Sequence, residues 1–242
     1  MNITWNDNHT ISITSKFSKK HITGTRFASI LNLNPYSTPF AMWCDITHVY
    51  EFPYEETPYT QAGIIIEPKQ AQFLKENYYP TLVTPQEIFG EDFFNLTHGN
   101  FFNDEIFGGM WDYIDRDSSG NVTRLFEMKT TQLNNYKLWW NDIPEYYALQ
   151  AALYAWLLNV EYIEVVVTFL NYTDYSNPQL FNVMLSNTFR KPFLLHERYP
   201  NFEVDYINKA KMWWYNYVET GVSPVYDTEK DLELLKNIYD KY

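Results

Sequence analysis

Two spacings of apolar residues alternate along the chain. From Thr25 to Leu33, Thr38 to Tyr50 and Tyr59 to Tyr78, apolar side chains return every three or four positions, which predicts three helices, the last one long. Met110 to Ile114 and Val122 to Met128 instead flank the turn-forming run Asp117-Ser118-Ser119-Gly120, which predicts a β-hairpin. A further helix is expected to open at Ile143 to Gln150, capped by Asn141 or Asp142 with Pro144 in its first turn. Glu161 to Phe169 is a β-branched run of the kind that makes a buried strand, and Val204 to Thr220 reads as an amphipathic helix carrying Trp213 and Trp214. A helix between the Glu127 and Val165 strands implies a right-handed crossover and a parallel pair. The expected fold is α/β, a mixed sheet with helices on both sides.

The hairpin also carries chemistry. Glu127 and Lys129 are two apart on the second strand and share a face, so Phe126 and Met128 point the other way into a core. A turn centred near Ser118-Ser119 sets Asp112 almost opposite Glu127, and a register shifted by one residue undoes the arrangement. Two carboxylates and an ammonium at one sheet edge suit phosphodiester hydrolysis. The hard oxygens hold Mg²⁺ or Mn²⁺, and the lysine orients or deprotonates the attacking water. The same residues also describe a cross-strand salt bridge, so the pattern gains weight only from its company. Part of that company is Glu67, in the apolar run Gly63 to Pro68 at i, i+4 from Gly63, where a carboxylate needs a partner that a cation would supply.

The ordered set of Ile22-Thr23-Gly24-Thr25 with Ile30 to Tyr36, then Gly63 and Glu67, Gly109 to Asp112, Glu127-Met128-Lys129, and Tyr147 to Gln150 resembles the YqaJ-like viral recombinase nucleases. These are similar to the phage lambda exonuclease type within the PD-(D/E)xK superfamily, and the likeness runs from about Thr23 to Trp156. It implies a restriction-endonuclease-like mixed central sheet flanked by helices. Asp112 and Glu127 become metal ligands together with the Met128 main-chain carbonyl, and Glu67 a ligand or water holder for a second cation. Lys129 becomes the activator of water and Gln150 a supporting residue. The resemblance further implies a Mg²⁺-dependent (or Mn²⁺-dependent) 5′→3′ exonuclease on double-stranded DNA ends, feeding a single-strand annealing protein and assembling as a ring-shaped homotrimer. Trp111 and Tyr113 replace the usual small residues around the aspartate, which predicts a bulkier approach to the site. Thr25 takes the hydroxyl position of the amino-terminal motif. The arginine expected before it is absent, with Lys19 and Lys20 nearby, which leaves the mode of 5′-phosphate recognition open.

At 242 residues with 21 Tyr and 17 Phe, the chain can fill the core of a single nuclease domain, with 221–242 expected to be a loosely packed acidic tail. Met1 to Thr10 is polar and does not read as a signal peptide, and no apolar run is long enough to span a bilayer; a cytoplasmic protein is expected, in the host cell if viral. Asn-x-Thr sequons begin at Asn2, Asn8, Asn95, Asn121 and Asn171, and without a leader they reflect an Asn-rich composition. The single Cys44 excludes an internal disulfide and a four-cysteine iron-sulfur cluster, and its apolar surroundings predict a buried small hydrophobe.

The net charge of −12 weighs against a nucleic-acid partner, because phosphate contacts need positive charge. The acid-free run with Lys16, Lys19, Lys20 and Arg26, just before Thr25, is either a local phosphate-binding patch or a solvated surface. His21, His48, His98 and His196 match no zinc spacing. Trp139-Trp140 and Trp213-Trp214 suit base stacking, with at least one member of each pair expected in the core. Three readings stand at this point: the exonuclease, a structure-selective or restriction-like endonuclease of the same superfamily, and a non-catalytic acidic DNA mimic or inhibitor. A decoy has no use for Lys129.

Overall fold

The computed structural model describes residues 1–90 and 102–242; the sequon at Asn95 and His98 lie outside them. In chain order the elements are β1 (Ile3–Trp5), β2 (Ile11–Ile13), α1 (Gly24–Ile30), α2 (Pro39–Ile46), α3 (Pro58–Asn77), α4 (Pro85–Phe89), β3 (Tyr113–Arg116), β4 (Val122–Gln132), α5 (Tyr136–Asn141), α6 (Glu145–Leu158), β5 (Tyr162–Leu170), β6 (Thr188–Leu194) and α7 (Leu195–Arg198). A helix α8 follows, in which Asn208–Trp213 is α-helical between the π-helical stretches Glu203–Ile207 and Trp214–Glu219, and then α9 (Leu232–Lys241). These elements make two compact units, one of Met1–Pro53, Phe102–Gly109 and Asn201–Tyr242, the other of 54–90 and 110–200.

The second unit is built on a four-stranded mixed sheet of order β3-β4-β5-β6. The expected hairpin is present: β3 and β4 are antiparallel, with Tyr113 opposite Phe126 and Ile114 opposite Leu125. A bulge between Asp115 and Arg116 absorbs one residue of offset from the turn, where the Asp117 carboxylate accepts the backbone N–H groups of Ser119 and Asn121 and Gly120 takes a positive φ of 85°. The crossover through α6 makes β4 and β5 parallel, Glu127 pairing with Val165 and Lys129 with Val167. The outer strand β6 pairs antiparallel with β5 and had not been expected; Pro192 within it suits an edge position.

Strand alternation divides the side chains as expected. Phe126, Met128 and Val166 pack with Ala71 and Leu74 of α3, and Glu127 on the opposite face is reached by Gln150 of α6, so both faces of β4 carry a helix. Helix α3 starts at a capping box in which the Thr57 hydroxyl accepts the Thr60 N–H and the Thr60 hydroxyl accepts the Thr57 N–H, with Pro58 in the first turn. Its Gly63 sits where an added Cβ would lie 3.7 Å from the Thr130 hydroxyl, so the helix approaches β4 closely. The expected cap of α6 is corrected: Pro144 itself is the cap residue, while Asp142 binds Arg198 through both oxygens at 2.8 and 2.9 Å.

The first unit has its own aromatic core, in which Phe27 meets Phe107 edge-on and packs against Phe202, and Phe40 meets Tyr226. Helices α1 and α2 stop before the expected Leu33 and Tyr50, with Asn32 and His48 in the left-handed region just beyond them. Cys44 is buried, as expected. Residues 221–242 are not a loose tail. Ser223 pairs with Ile11, and α9 buries Leu234 and Ile238, an i, i+4 apolar pair on one face of an amphipathic helix.

Candidate active site

Asp112 lies one residue before β3, and the ladder that pairs Tyr113 with Phe126 sets it against Glu127. Its Oδ2 accepts the Met128 backbone N–H at 2.7 Å, which fixes the carboxylate at the strand edge. Preceding it, Gly109 has a φ of 122°, a conformation that side-chain-bearing residues rarely adopt. Tyr113 alternates to the other face and is buried beside Phe126 and Met128, and Trp111 is buried with Phe89 of α4 edge-on to it.

Glu127 is wholly buried, at 0% exposure. Its Oε1 accepts both the Lys129 ammonium and the Gln150 side-chain amide, each at 2.5 Å, while its Oε2 is buried without a hydrogen-bond partner among the described residues. The Lys129 ammonium also stands 5.1 Å from the centre of the Tyr147 ring, a cation-π contact. Tyr147 in turn stacks on buried Trp139, so an aromatic column from α5 and α6 supports the lysine.

The electrostatics follow from burial of three acids around one base. Burial, then the charge of Asp112, pushes Glu127 up to about 8 against the pull of Lys129. Glu67 on α3 is pushed up to about 7 by burial and by Asp112, again opposed by Lys129. Asp112 is raised by burial, with Lys129 and the Met128 N–H working the other way. Burial lowers Lys129, but Glu127 and Asp112 outweigh it, so the ammonium is held protonated well above its usual range. The structure therefore brings Glu67, Asp112, Glu127, Lys129 and Gln150 into one electrostatic neighbourhood.

A second buried glutamate on the neighbouring strand provides a control. Glu164 accepts Arg190 through both oxygens, and its Oε2 also accepts the Tyr79 hydroxyl at 2.8 Å. A carboxylate buried for structure is saturated in this way, whereas Glu127 keeps a bare oxygen. That orphan oxygen, beside a second acid and on the strand that carries the Met128 carbonyl, fits a hard oxygen-seeking cation. Among the described residues no three Asp, Glu, His or Cys side chains close into a cage. Mg²⁺ suits such a site, since it is typically held by one or two carboxylates and keeps several waters.

The amino-terminal candidates belong to the other unit and are less open than the sequence suggested. Lys19 binds Glu219, while Lys20 and Arg26 both bind Asp45 at 2.8 Å, so three of the four bases of the acid-free run are paired with acids from distant positions. Thr25 is exposed, its hydroxyl 3.0 Å from that of Thr23. Among the residues not anticipated, buried Gln70 donates its amide to the Lys129 carbonyl and to the Thr168 hydroxyl, each at 2.9 Å, tying α3 to the strand of the lysine. A polar side chain one turn after Glu67 was the available signal.

Comparison with known proteins bears on the family and the fold. The sequence profile of the YqaJ-like viral recombinase domain matches residues 15–161, more than half of the chain. The uncharacterized protein MG373 of Mycoplasma genitalium is 30% identical, over 90% of this chain and 87% of its own length. A phage-related exonuclease from Haemophilus somnus superposes over 83% of this chain and 96% of its own with a TM-score of 0.55 at 10% identity. The alkaline exonuclease LHK-Exo of Laribacter hongkongensis, also solved in complex with dAMP, does so over 91% and 94% with a TM-score of 0.53 at 13% identity. At such identities the structural likeness is one of fold: these exonucleases share the mixed sheet flanked by helices.

Proposed function

Because the chain belongs to the family of the YqaJ-like viral recombinase domain, we propose that it is a metal-dependent deoxyribonuclease whose active site is formed by Glu67, Asp112, Glu127, Lys129 and Gln150. The observation that carries this reading is the bare, buried Oε2 of Glu127, whose other oxygen is pinned by Lys129 and Gln150. Asp112, Glu127 and the Met128 carbonyl are the groups to hold Mg²⁺ or Mn²⁺, with Glu67 placed for a second cation or its water. A bound cation supplies charge stabilisation on the phosphate and acidifies its water.

The remaining work falls to this chain. In hydrolysis a water oxygen bonds to phosphorus, one P–O ester bond breaks, and the proton released by that water to solvent is balanced by one taken up from solvent by the departing oxygen. Lys129, held protonated by two carboxylates, orients that water and stabilises the charge growing on the phosphate oxygens. Gln150 and Tyr147 fix the geometry of the Glu127–Lys129 pair, and the Met128 N–H fixes Asp112. Family membership and the fold shared with two exonucleases support a nuclease; within that reading we propose attack at duplex ends, 5′→3′, leaving a single strand for an annealing protein, with a homotrimeric ring as the assembly and Thr25, Arg26, Lys19 and Lys20 as the groups that take the terminal phosphate. Since Lys19, Lys20 and Arg26 are already paired, DNA must exchange those acid partners for phosphate.

The test is incubation with Mg²⁺, Mn²⁺ or EDTA and end-labelled linear duplex, closed circular duplex and single-stranded DNA. Metal-dependent loss of nucleotides from the 5′ ends of linear duplex, with circles intact, is the expected result. Cleavage of circles turns the assignment to an endonuclease, and inertness of all three substrates with either metal refutes the nuclease reading.

A further inference from the structure

Helix α5 has two unlike faces. Trp139 is buried at 1% exposure against Tyr147, beneath the candidate catalytic lysine, whereas its neighbour Trp140 is 62% exposed. The Trp140 indole is nonetheless held in place. Tyr136 stacks against it at 5.9 Å between ring centres and 20° between planes, and Phe189 of β6 meets it edge-on at 5.6 Å. A cavity of about 380 Å³ opens beside these rings, lined by Tyr136, Lys137, Trp140 and Asn141. The Lys191 ammonium approaches from the other side, donating to the Trp140 carbonyl at 2.9 Å. The acids that follow, Asp142 and Glu145, both bind Arg198, which leaves the ammonium groups of Lys137 and Lys191 beside the rings in a chain of net charge −12.

We propose that Trp140, with Tyr136 and Lys137, is a stacking platform for an unpaired base of single-stranded DNA. A rigid exposed indole beside an ammonium is the combination that single-strand binders use: the ring takes the base face and the cation takes the adjoining phosphate. Folding alone does not account for it, because the platform's outer face covers nothing among the described residues of this unit. Helix α5 carries both the platform and, on its other face, Trp139, which stacks on the Tyr147 that Lys129 overlies, so a strand seated there lies on an element that supports the lysine. This placement as part of an active site rests on the nuclease reading; the stacking itself does not.

Binding of a fluorescein-labelled oligothymidylate, and of an equally long strand of abasic deoxyribose phosphate, is measured by anisotropy in EDTA, where metal-dependent cleavage is silent. The wild-type chain is expected to prefer the strand with bases. Trp140→Ala should lower oligothymidylate affinity about tenfold or more, in line with about 1–3 kcal/mol per stacked base, and erase the preference. Trp140→Phe should keep most of both. Lys137→Ala should weaken both strands alike and flatten the salt dependence by about 0.7 in slope, one phosphate contact on a single strand. A wild-type chain without preference for bases, or a Trp140→Ala variant that retains it, overturns the proposal. A Trp140-dependent preference in a protein that cleaves no DNA with Mg²⁺ or Mn²⁺ leaves the platform standing and sinks the nuclease reading alone.

Discussion

Glu127 and Glu164 are both fully buried, sit on adjacent strands and each bind a basic side chain, yet replacing them with glutamine should have opposite consequences. Glu164 is the counter-charge of Arg190, with Arg124 at 3.9 Å and the Tyr79 hydroxyl on the same oxygen. Glu164→Gln leaves those guanidiniums without their partner. Breaking a buried pair costs about 3–5 kcal/mol, reduced here to roughly 2–4 because Arg190 is a quarter exposed. For a chain of this size that is a fall in Tm of about 5–15 °C. Glu127→Gln removes one member of a mutually repelling set of acids, retains an oxygen for Lys129 and Gln150, and leaves Asp112 to balance the ammonium. Its melting temperature in EDTA should stay within about 3 °C of wild type, equivalent to about 1 kcal/mol. Cleavage should nevertheless fall by about a thousandfold or more, the scale of losing a principal electrostatic group of an active site. Differential scanning calorimetry with and without Mg²⁺ separates the cases further. A cation at a hundred times its dissociation constant stabilises the folded chain by about 2.7 kcal/mol, and this increment should survive in Glu164→Gln and vanish in Glu127→Gln. If Glu127→Gln melts as low as Glu164→Gln and still cleaves DNA, Glu127 is a structural ion pair and the bare oxygen has been misread.

Two further outcomes follow from the same geometry. Lys129→Ala should lower turnover about a hundredfold or more while calorimetry finds cation affinity unchanged or higher, because a positive neighbour of Glu127 and Asp112 has gone; a weaker cation site with normal turnover at saturating metal makes Lys129 structural. In the other unit, burial raises Asp45 but Arg26 and Lys20 outweigh it and hold the carboxyl below its usual value, so its contribution to stability is present above about pH 3.9 and lost as pH falls through the lower folded value. Asp45→Asn should therefore cost roughly 1–2 kcal/mol at pH 7, with the gap to wild type closing below about pH 4 in urea titrations, and a pH-independent gap refutes the ion-pair account.

The readable parts of this chain were those governed by local rules. The turn at Asp117 to Gly120 and the alternation around it were enough to bring Asp112 beside Glu127, but their register rests on the bulge between Asp115 and Arg116, without which Asp112 would face Phe126; the helix between two strands was enough to make β4 and β5 parallel. What failed to show depended on partners far away in sequence. The basic run from Lys16 to Arg26 looked free because Glu219 and Asp45 lie well outside it. The β5 run read as an apolar strand although it buries Glu164, and the counter-charge Arg190 sits on β6, whose Arg190-Lys191-Pro192 interrupts any strand pattern. Gln70 offered only its spacing from Glu67, since its acceptors on β4 and β5 are defined only once α3 has packed. The apolar pair of α9 was legible in principle but outweighed by the charge around it.

The bulge between Asp115 and Arg116 gives the hairpin a separation between alignment and length. Below it, the pairs Tyr113–Phe126 and Ile114–Leu125 hold the two acids in step; above it, the exposed Asp117 to Asn121 turn hangs beyond that fixed frame. The tip can thus be lengthened or shortened with the acids beneath left in step. It is equally the place where an epitope or fluorescent reporter can be spliced into the chain with the acids left in register.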